Sequence, residues 1–211
     1  MQGRVPERRD RDDPHDHAVR TQRAGLAALL ADADGPGVLW RDRPGQVVAG
    51  AGANLPHYRK ADRVVATEPD PAMRRRLAGR LDRATVLAVV REDRAESLSD
   101  PDDTFDAVLS TAVLCTVPDP DRALAEVARV LKPNGRLVVL EHVRGSGRLA
   151  EWQDRLDPVW TRIGAGCHAN RDTRAAIERA GVTFELFEEF QPVPAWVPTS
   201  PMIEAVATRP S

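Results

Sequence analysis

A glycine turn followed by an acid is the strongest chemical signal in this chain. Gly50 and Gly52 follow an apolar stretch, and Glu68 ends the next apolar stretch. Glycines let a backbone approach a ligand closely, and an acid about 20 residues further on accepts hydrogen bonds from ribose hydroxyls in nucleotide-type sites. The spacing therefore predicts a site for a ribose-bearing cofactor.

Cysteine and histidine side chains are the other candidates for chemistry. His142 ends a predicted strand, and its two open interpretations are a general acid or base near the acceptor and a hydrogen-bonded framework residue. Cys115 also follows a strand, and we expect a buried small hydrophobe there in preference to a nucleophile. Cys167 and His168 are adjacent, which is a poor spacing for metal ligands without further residues. Packing roles, and no metal site, are therefore predicted for that pair.

Alternating strands and helices must position these residues. We place buried strands near Val47, Val64, Val86, Ala107 and Leu137. Asp70 and Asp119 each precede a proline, which is typical of a capped helix start. The alternation predicts an α/β fold with a Rossmann-like, doubly wound sheet that is mostly parallel. The segments 182–187 and 202–207 are expected to add an antiparallel edge.

Several element boundaries follow from turn residues. The helix that starts at Asp119 is predicted to end at Pro133-Asn134-Gly135, and the next strand to run from Arg136 to Glu141. Two further helices are expected around 149–163 and 172–180, the second ended by Gly181.

The bulk composition limits the possible functions. The 211 residues are 42% hydrophobic, enough for a core, and the net charge of −2 gives no general attraction to nucleic acid. No apolar run approaches the ~18 residues of a membrane span, so a cytoplasmic protein is predicted. Residues 1–23 are charged and lack apolar periodicity, which favours a disordered lead-in before a single domain at 24–211.

An ordered set of motifs runs through the predicted sheet. It includes the strand that starts with Phe105-Asp-Ala-Val and the segment 123–135, Ala-Leu-Ala-Glu-Val-Ala-Arg-Val-Leu-Lys-Pro-Asn-Gly. With the glycine turn and Glu68, this set resembles class I S-adenosylmethionine-dependent methyltransferases from about Val47 to the C-terminus. The later segments 113–117, 141–143 and 156–160 are similar to a branch that includes small-molecule thiol S-methyltransferases.

The resemblance implies S-adenosylmethionine as the cofactor and assigns residues to it. The glycine turn would meet its amino-acid end, the acid its ribose, and the loop 93–97 its adenine. The cofactor residues implied in this way are Gly50, Gly52, Asn54, Glu68, Pro69, Ala95 and Glu96. The acceptor implied is a small, lipophilic molecule. A thiol is favoured because its thiolate forms readily near neutral pH, and a hydroxyl or an amine is the other option.

The glycine turn also departs from the family pattern. Gln46 stands where the family usually has an acid, and Val48 stands at the first glycine. These departures leave an alternative open: a methyltransferase-fold protein that binds a ligand or a partner without transferring methyl.

Overall fold

The computed structural model describes residues 45–48, 54, 55, 58, 61, 63–84, 86–194 and 196–211; of residues 45–48 it describes the strand alone. The predicted lead-in at 1–23 and the two turn glycines, Gly50 and Gly52, lie outside the described residues. The start of the domain at residue 24 therefore stays a prediction.

Seven strands and four α-helices make up the described part of the chain. The strands are β1 (Gly45–Val48), β2 (Arg63–Thr67), β3 (Leu87–Arg91), β4 (Phe105–Thr111), β5 (Leu131–His142), β6 (Thr183–Phe190) and β7 (Met202–Thr208). The helices are α1 (Pro71–Ala78), α2 (Pro120–Val130), α3 (Gly147–Ile163) and α4 (Thr173–Arg179). The strands form one sheet in the order β3-β2-β1-β4-β5-β7-β6.

The sheet is mostly parallel, with an antiparallel edge. Strands β1 to β5 pair in parallel, whereas β7 is antiparallel to both β5 and β6. The strand order reverses direction at β1, and ligands in such sheets bind at the carboxyl ends of strands beside this point. The predicted doubly wound α/β fold with an antiparallel edge is confirmed.

Aspartate caps start the two helices predicted from Asp-Pro pairs. The Asp70 carboxylate accepts the backbone N–H groups of Ala72 and Met73, and Pro71 is the first residue of α1. Asp119 accepts the N–H of Arg122 in the same way at the start of α2. These bonds satisfy donors that a helix start otherwise leaves unpaired.

Helix α2 ends earlier than its sequence predicts. It ends at Val130, so the predicted end at 133–135 is wrong, and so is the start of the following strand at Arg136. Leu131 is fully buried and pairs with Phe105 as the first residue of β5. Burial of this leucine against the sheet takes precedence over the local helix-ending signal.

The Pro-Asn-Gly turn forms a bulge inside β5 instead. Asn134 has a φ of 61°, a left-handed conformation that asparagine tolerates. A Cβ at Gly135 would lie 2.7 Å from the carbonyl oxygen of Lys132, so the position requires glycine. The Asn134 N–H donates to the Arg209 carbonyl, and the Arg209 N–H donates to the Gly135 carbonyl, both at 2.9 Å. The bulge is therefore held against the end of β7.

The central strands end at the same level, so that their carboxyl ends form one edge of the sheet where a ligand could bind. Val48 is aligned with Thr67 of β2 and Ser110 of β4, and Thr67 is aligned with Arg91 of β3. The carboxyl ends of these strands therefore lie side by side. Within the described residues, no helix is long and apolar enough to cross a membrane; the cytoplasmic location stays a prediction.

Candidate active site

An open cleft of about 740 Å³ lies at the carboxyl edge of the sheet. Its walls come from the end of β2, the loop after β3, the loop after β4 and the turn after α3. Among its lining residues are Glu68, Pro69, Ala95 and Glu96, four of the predicted cofactor residues. Its volume lies in the range of roughly 300–1,000 Å³ that is typical of small-molecule sites.

Glu68 is held at the wall of the cleft by the neighbouring strand β3 and by residues that follow it closely in sequence. Its N–H donates to the Arg91 carbonyl at 3.0 Å, continuing the pairing of β2 with β3. Its Oε1 accepts the Asp70 N–H at 2.9 Å, and its carbonyl accepts a hydrogen bond from Arg74 Nη1 at 2.8 Å. The carboxylate is half-buried, so a ligand in the cleft can reach it.

The loop after β3 is fixed against the start of α2. Ala95 is buried at the cleft wall, with 6% of its surface exposed. The Glu96 Oε1 accepts the Asp119 N–H at 3.4 Å, and its carbonyl accepts Arg122 Nε at 3.1 Å. The loop therefore presents a small apolar residue to the cleft in a fixed position.

The segment after β1 reaches the same edge. Asn54 Nδ2 donates to Thr111 Oγ1 at 3.2 Å, and Thr111 lines the cleft at the end of β4. Val48 is the last residue of β1, aligned with Thr67, which directly precedes Glu68. The chain thus leaves β1 beside the acid, as the spacing predicts, although the turn glycines are outside the described residues.

Two strained alanines also line the cleft. Ala112 has a φ of 53° and Ala165 a φ of 52°, in the left-handed region that residues with a Cβ rarely adopt. Each costs about 1–2 kcal/mol of backbone strain. Such strain is common at functional sites, where the surrounding structure fixes the backbone near a ligand.

The residues that line this cleft fit S-adenosylmethionine. A carboxylate at the end of β2 suits the hydroxyls of a ribose, which are neutral donors. Ala95, Met73 and Val117 give apolar walls for a flat aromatic base.

Three further side chains converge beside the cleft: Cys115, His142 and Cys167. The Cys115 and Cys167 Sγ atoms each lie 3.7 Å from His142 Nδ1, and the three ligand atoms lie within 4.8 Å of one another. Cys115 is 1% exposed, as predicted for a buried residue, and Cys167 is 6% exposed. We call these residues the Cys-His-Cys cluster.

His168, the sequence neighbour of Cys167, points elsewhere. Its Nδ1 lies 2.9 Å from an Asp157 carboxylate oxygen on α3. From the sequence, Cys167 is considered only with His168 and a packing role is predicted, so the cluster as a whole was missed. One signal could have found part of it: Cys115 and His142 follow neighbouring parallel strands, whose carboxyl ends meet.

Glu141, the residue before His142 in β5, is fully buried and bonds to the segment that leads into Cys115. Its Oε1 accepts hydrogen bonds from Ser110 Oγ at 2.7 Å, the Val113 N–H at 2.8 Å and the Leu114 N–H at 3.0 Å. Burial raises the pKa of the Glu141 carboxyl, and these hydrogen bonds oppose the rise. The carboxylate thereby fixes the turn that carries Cys115.

The two cysteines have opposite pKa shifts. A hydrogen bond in which the Cys115 thiol donates to Cys167 raises the pKa of Cys115 far above its usual value, and burial adds to the rise. The pKa of Cys167 is lowered to about 5, chiefly by this hydrogen bond; burial opposes the fall, and a hydrogen bond with His142 contributes to it. The cluster therefore favours a thiolate at Cys167.

Gln153 joins the loops around the cluster. Its Nε2 donates to the carbonyls of Val143, Ala169 and Pro198 at 3.1, 2.8 and 2.8 Å, and its Oε1 accepts the Gly145 N–H at 2.7 Å. Only 1% of the residue is exposed. One side chain from α3 therefore connects three separate segments.

Two tryptophans, Trp152 and Trp196, are exposed and lie outside the cleft. Core or pocket positions are typical of such residues, but Trp152 and Trp196 are 46% and 74% exposed. They line a shallow surface groove together with Leu149, Arg148 and Arg155.

Known proteins match both the sequence and the fold. A methyltransferase domain family matches residues 46–139. The thiol S-methyltransferase TMT1B of Rattus norvegicus is 38% identical over 169 residues, covering 76% of this chain and 68% of that protein.

Solved structures show the same fold at low sequence identity. A putative methyltransferase from Bacillus halodurans has a TM-score of 0.72 at 15% identity and covers 89% of this chain and 100% of its own. The N-methyltransferase NodS from Bradyrhizobium japonicum, solved with S-adenosyl-L-homocysteine, has a TM-score of 0.68 at 18% identity. The match covers 95% of this chain and 90% of NodS.

The matched family implies S-adenosylmethionine as the methyl donor, in agreement with the residues that line the cleft. The alternative of a fold that no longer transfers methyl gains no support from these relatives. The chain belongs to the class I S-adenosylmethionine-dependent methyltransferases, close to the branch of the thiol S-methyltransferases.

Proposed function

We propose that this enzyme methylates the sulfur of a small, lipophilic thiol. The observation that carries the proposal is the similarity to a thiol S-methyltransferase over three quarters of the chain. The chemistry of a thiol also suits the site, because a thiolate is a strong nucleophile and needs little help from a base near neutral pH.

The cofactor residues are proposed from their positions around the cleft. Glu68, with Pro69, holds the ribose; Ala95 and Glu96 face the adenine. The segment that contains Gly50, Gly52 and Asn54 meets the amino-acid end. When bound, S-adenosylmethionine supplies a methyl group on a sulfonium, which is already a good leaving group. The protein's tasks are then alignment, exclusion of water and removal of one proton from the acceptor.

His142 is assigned to that proton. It ends β5 on the acceptor side of the sheet edge, and it is partly exposed whereas both cysteines beside it are buried. We expect an acceptor thiol to reach this side chain at the end of the strand, where His142 promotes its ionisation.

A panel of matched acceptors tests the thiol assignment. The full chain is incubated with S-adenosylmethionine and an alkyl thiol, or with the alcohol and the amine of the same alkyl chain. Mass spectrometry measures the methylated product and S-adenosylhomocysteine together. We expect the thioether to form at least about tenfold faster than the ether or the methylamine, a difference of about 1.4 kcal/mol in activation free energy.

Each other result of the panel has a distinct meaning. Faster methylation of the alcohol or the amine would overturn the thiol assignment and leave a methyltransferase of another acceptor. Binding of S-adenosylhomocysteine with no product from any acceptor would revive the non-catalytic alternative.

A further inference from the structure

The Cys-His-Cys cluster has the ligand types of a zinc site. Thiolate and imidazole are the ligands that Zn²⁺ takes most often, and catalytic zinc sites combine three protein ligands with one open position. In the described part of the chain, Cys115, His142 and Cys167 form the group of Cys, His, Asp and Glu side chains whose ligand atoms converge within 4.8 Å.

The spacing of the ligand atoms matches a tetrahedral ion. Zn–S bonds of about 2.3 Å and Zn–N bonds of about 2.0–2.1 Å at tetrahedral angles put sulfur and nitrogen about 3.6 Å apart. Both Sγ atoms lie 3.7 Å from His142 Nδ1. Because the two sulfurs converge on the same nitrogen, one ion can contact all three atoms with little movement.

The segments that carry the ligands are fixed before any ion binds. Glu141 accepts the backbone N–H groups of Val113 and Leu114, which lead into Cys115. The His168 N–H donates to the Cys115 carbonyl at 2.7 Å and joins the loop of Cys167 to that turn. A ligand set on rigid, hydrogen-bonded segments loses little freedom on binding a metal.

Two of the segments that carry the cluster also line the cleft. Val113 and Thr116, on either side of Cys115 in the chain, line the cleft, and so does Ala165, two residues before Cys167. His142 is partly exposed, whereas both cysteines are buried. The cleft is therefore the side from which we expect a fourth ligand to approach.

We propose that Cys115, His142 and Cys167 bind one Zn²⁺ ion whose fourth position takes the sulfur of the acceptor thiol. The part of this inference that concerns the acceptor rests on the proposed function; the metal site does not. His142 then promotes ionisation of the acceptor as a metal ligand rather than as a base.

The chemistry of such a site suits methyl transfer to sulfur. A thiol that binds Zn²⁺ releases its proton to solvent and stays a thiolate. A lone pair of that sulfur then forms the new bond to the methyl carbon while the bond between this carbon and the sulfonium breaks. The products are a neutral thioether, a poor zinc ligand that can leave, and S-adenosylhomocysteine.

Cobalt binding tests the metal site without any catalysis. The full chain is stripped with a chelator under reducing conditions and titrated with Co²⁺, whose thiolate complexes give a charge-transfer band in the near ultraviolet. We expect one ion per chain, with intense visible bands typical of tetrahedral cobalt, and displacement by Zn²⁺. A charge-transfer band that is absent, or that saturates without Cys115 and Cys167, overturns the inference.

Matched variants identify the ligands. Cys115→Ser, Cys167→Ser and His142→Gln should each weaken Zn²⁺ binding by more than about a hundredfold, since even the residues that support ligands are worth about 10–100-fold. His168→Gln is the control, because its side chain contacts Asp157 and not the cluster; it should bind Zn²⁺ as the native chain does. Circular dichroism checks that each variant is folded. If a variant does not fold, the Co²⁺ titration of the native chain alone tests whether the metal site exists.

The acceptor step is tested on the cobalt-loaded chain. Addition of an alkyl thiol should shift the visible bands and increase the charge-transfer band, whereas the matching alcohol should do neither. Thiol methylation that continues undiminished in the metal-free chain would overturn this inference and leave the proposed function standing. Cobalt and thiol binding without any methyl transfer would support the metal site and overturn the proposed function instead.

Discussion

The acids at the carboxyl ends of β2 and β5 are held in opposite ways. Glu68, after β2, accepts the N–H of Asp70, only two residues away, and is partly exposed. Glu141, at the end of β5, is fully buried and accepts bonds from Ser110, Val113 and Leu114, 27 to 31 residues earlier in the chain. Glu68 lines an open cleft, whereas the Glu141 carboxylate is bonded within the fold.

Because the two carboxylates are held differently, they should contribute differently to ligand binding and to the stability of the fold. An exposed carboxylate with local contacts can change its partners when a ligand arrives, at little cost to the fold. A buried carboxylate whose donors have no access to water cannot be removed without leaving those donors unpaired. We therefore expect substitutions on the Glu141 side to affect stability and substitutions on the Glu68 side to affect cofactor affinity.

The largest effect is expected for Glu141→Ala. It leaves the Ser110 hydroxyl and the Val113 and Leu114 N–H groups without their acceptor, and each unsatisfied buried group costs about 1–3 kcal/mol. The free energy of unfolding in urea should fall by about 3–5 kcal/mol.

Glu141→Gln is the matched control for that substitution. The three shorter bonds go to the same oxygen, Oε1, and the amide of glutamine keeps one such oxygen; only the longer bond from the Cys115 N–H to Oε2, at 3.4 Å, is lost. It should retain most of the stability, with a loss below about 1 kcal/mol. Equal losses for alanine and glutamine would show that the charge, and not the acceptor, is what the fold needs.

Gln153→Ala is expected to be nearly as costly. The two N–H groups of its amide are shared among three carbonyls, its Oε1 accepts one bond, and the side chain is buried between α3 and the loops around the cluster. Its loss should lower the free energy of unfolding by about 2–4 kcal/mol. Glu151→Ala, an exposed position on the same helix, should change it by less than about 0.5 kcal/mol. A loss no greater than that of the control would mean that the loops hold without this side chain.

Glu68→Ala should weaken cofactor binding and leave the fold stable. Charge-assisted hydrogen bonds to the ribose hydroxyls contribute about 1.5–3 kcal/mol each, so the dissociation constant of S-adenosylhomocysteine should rise tenfold or more by calorimetry. Glu92→Ala removes a more exposed acid after the neighbouring strand, paired with Arg74, and should leave this constant unchanged. An unchanged constant for Glu68→Ala as well would show that the ribose is held elsewhere.

The smallest effect is expected for Asp70→Ala, which removes the cap of α1. The carboxylate accepts two backbone N–H groups, and loss of such a cap costs about 1 kcal/mol. Chemical denaturation measures the change, with the exposed Asp82→Ala as the control. A larger loss, close to that of Glu141→Ala, would contradict the contrast between the two sides of the site.

The sequence by itself determined the features whose causes are local. The Asp-Pro helix starts at Asp70 and Asp119, the turn at Gly181 and the order of strands and helices follow from side chains within a few residues. The position of Glu68 belongs to this group, because a strand that ends at an acid also ends at the sheet edge. The resemblance to methyltransferases added the cofactor.

Only the tertiary structure decided the features that depend on distant pairs. The start of β5 at Leu131, and the bulge that displaced the predicted helix end, depend on pairing with β4 and on bonds to Arg209. The role of Glu141 and the convergence of Cys115 with Cys167 join residues far apart along the chain. Local patterns carry no information on such pairs, because side chains so distant in sequence meet only when the sheet has formed and its carboxyl edge brings their loops together.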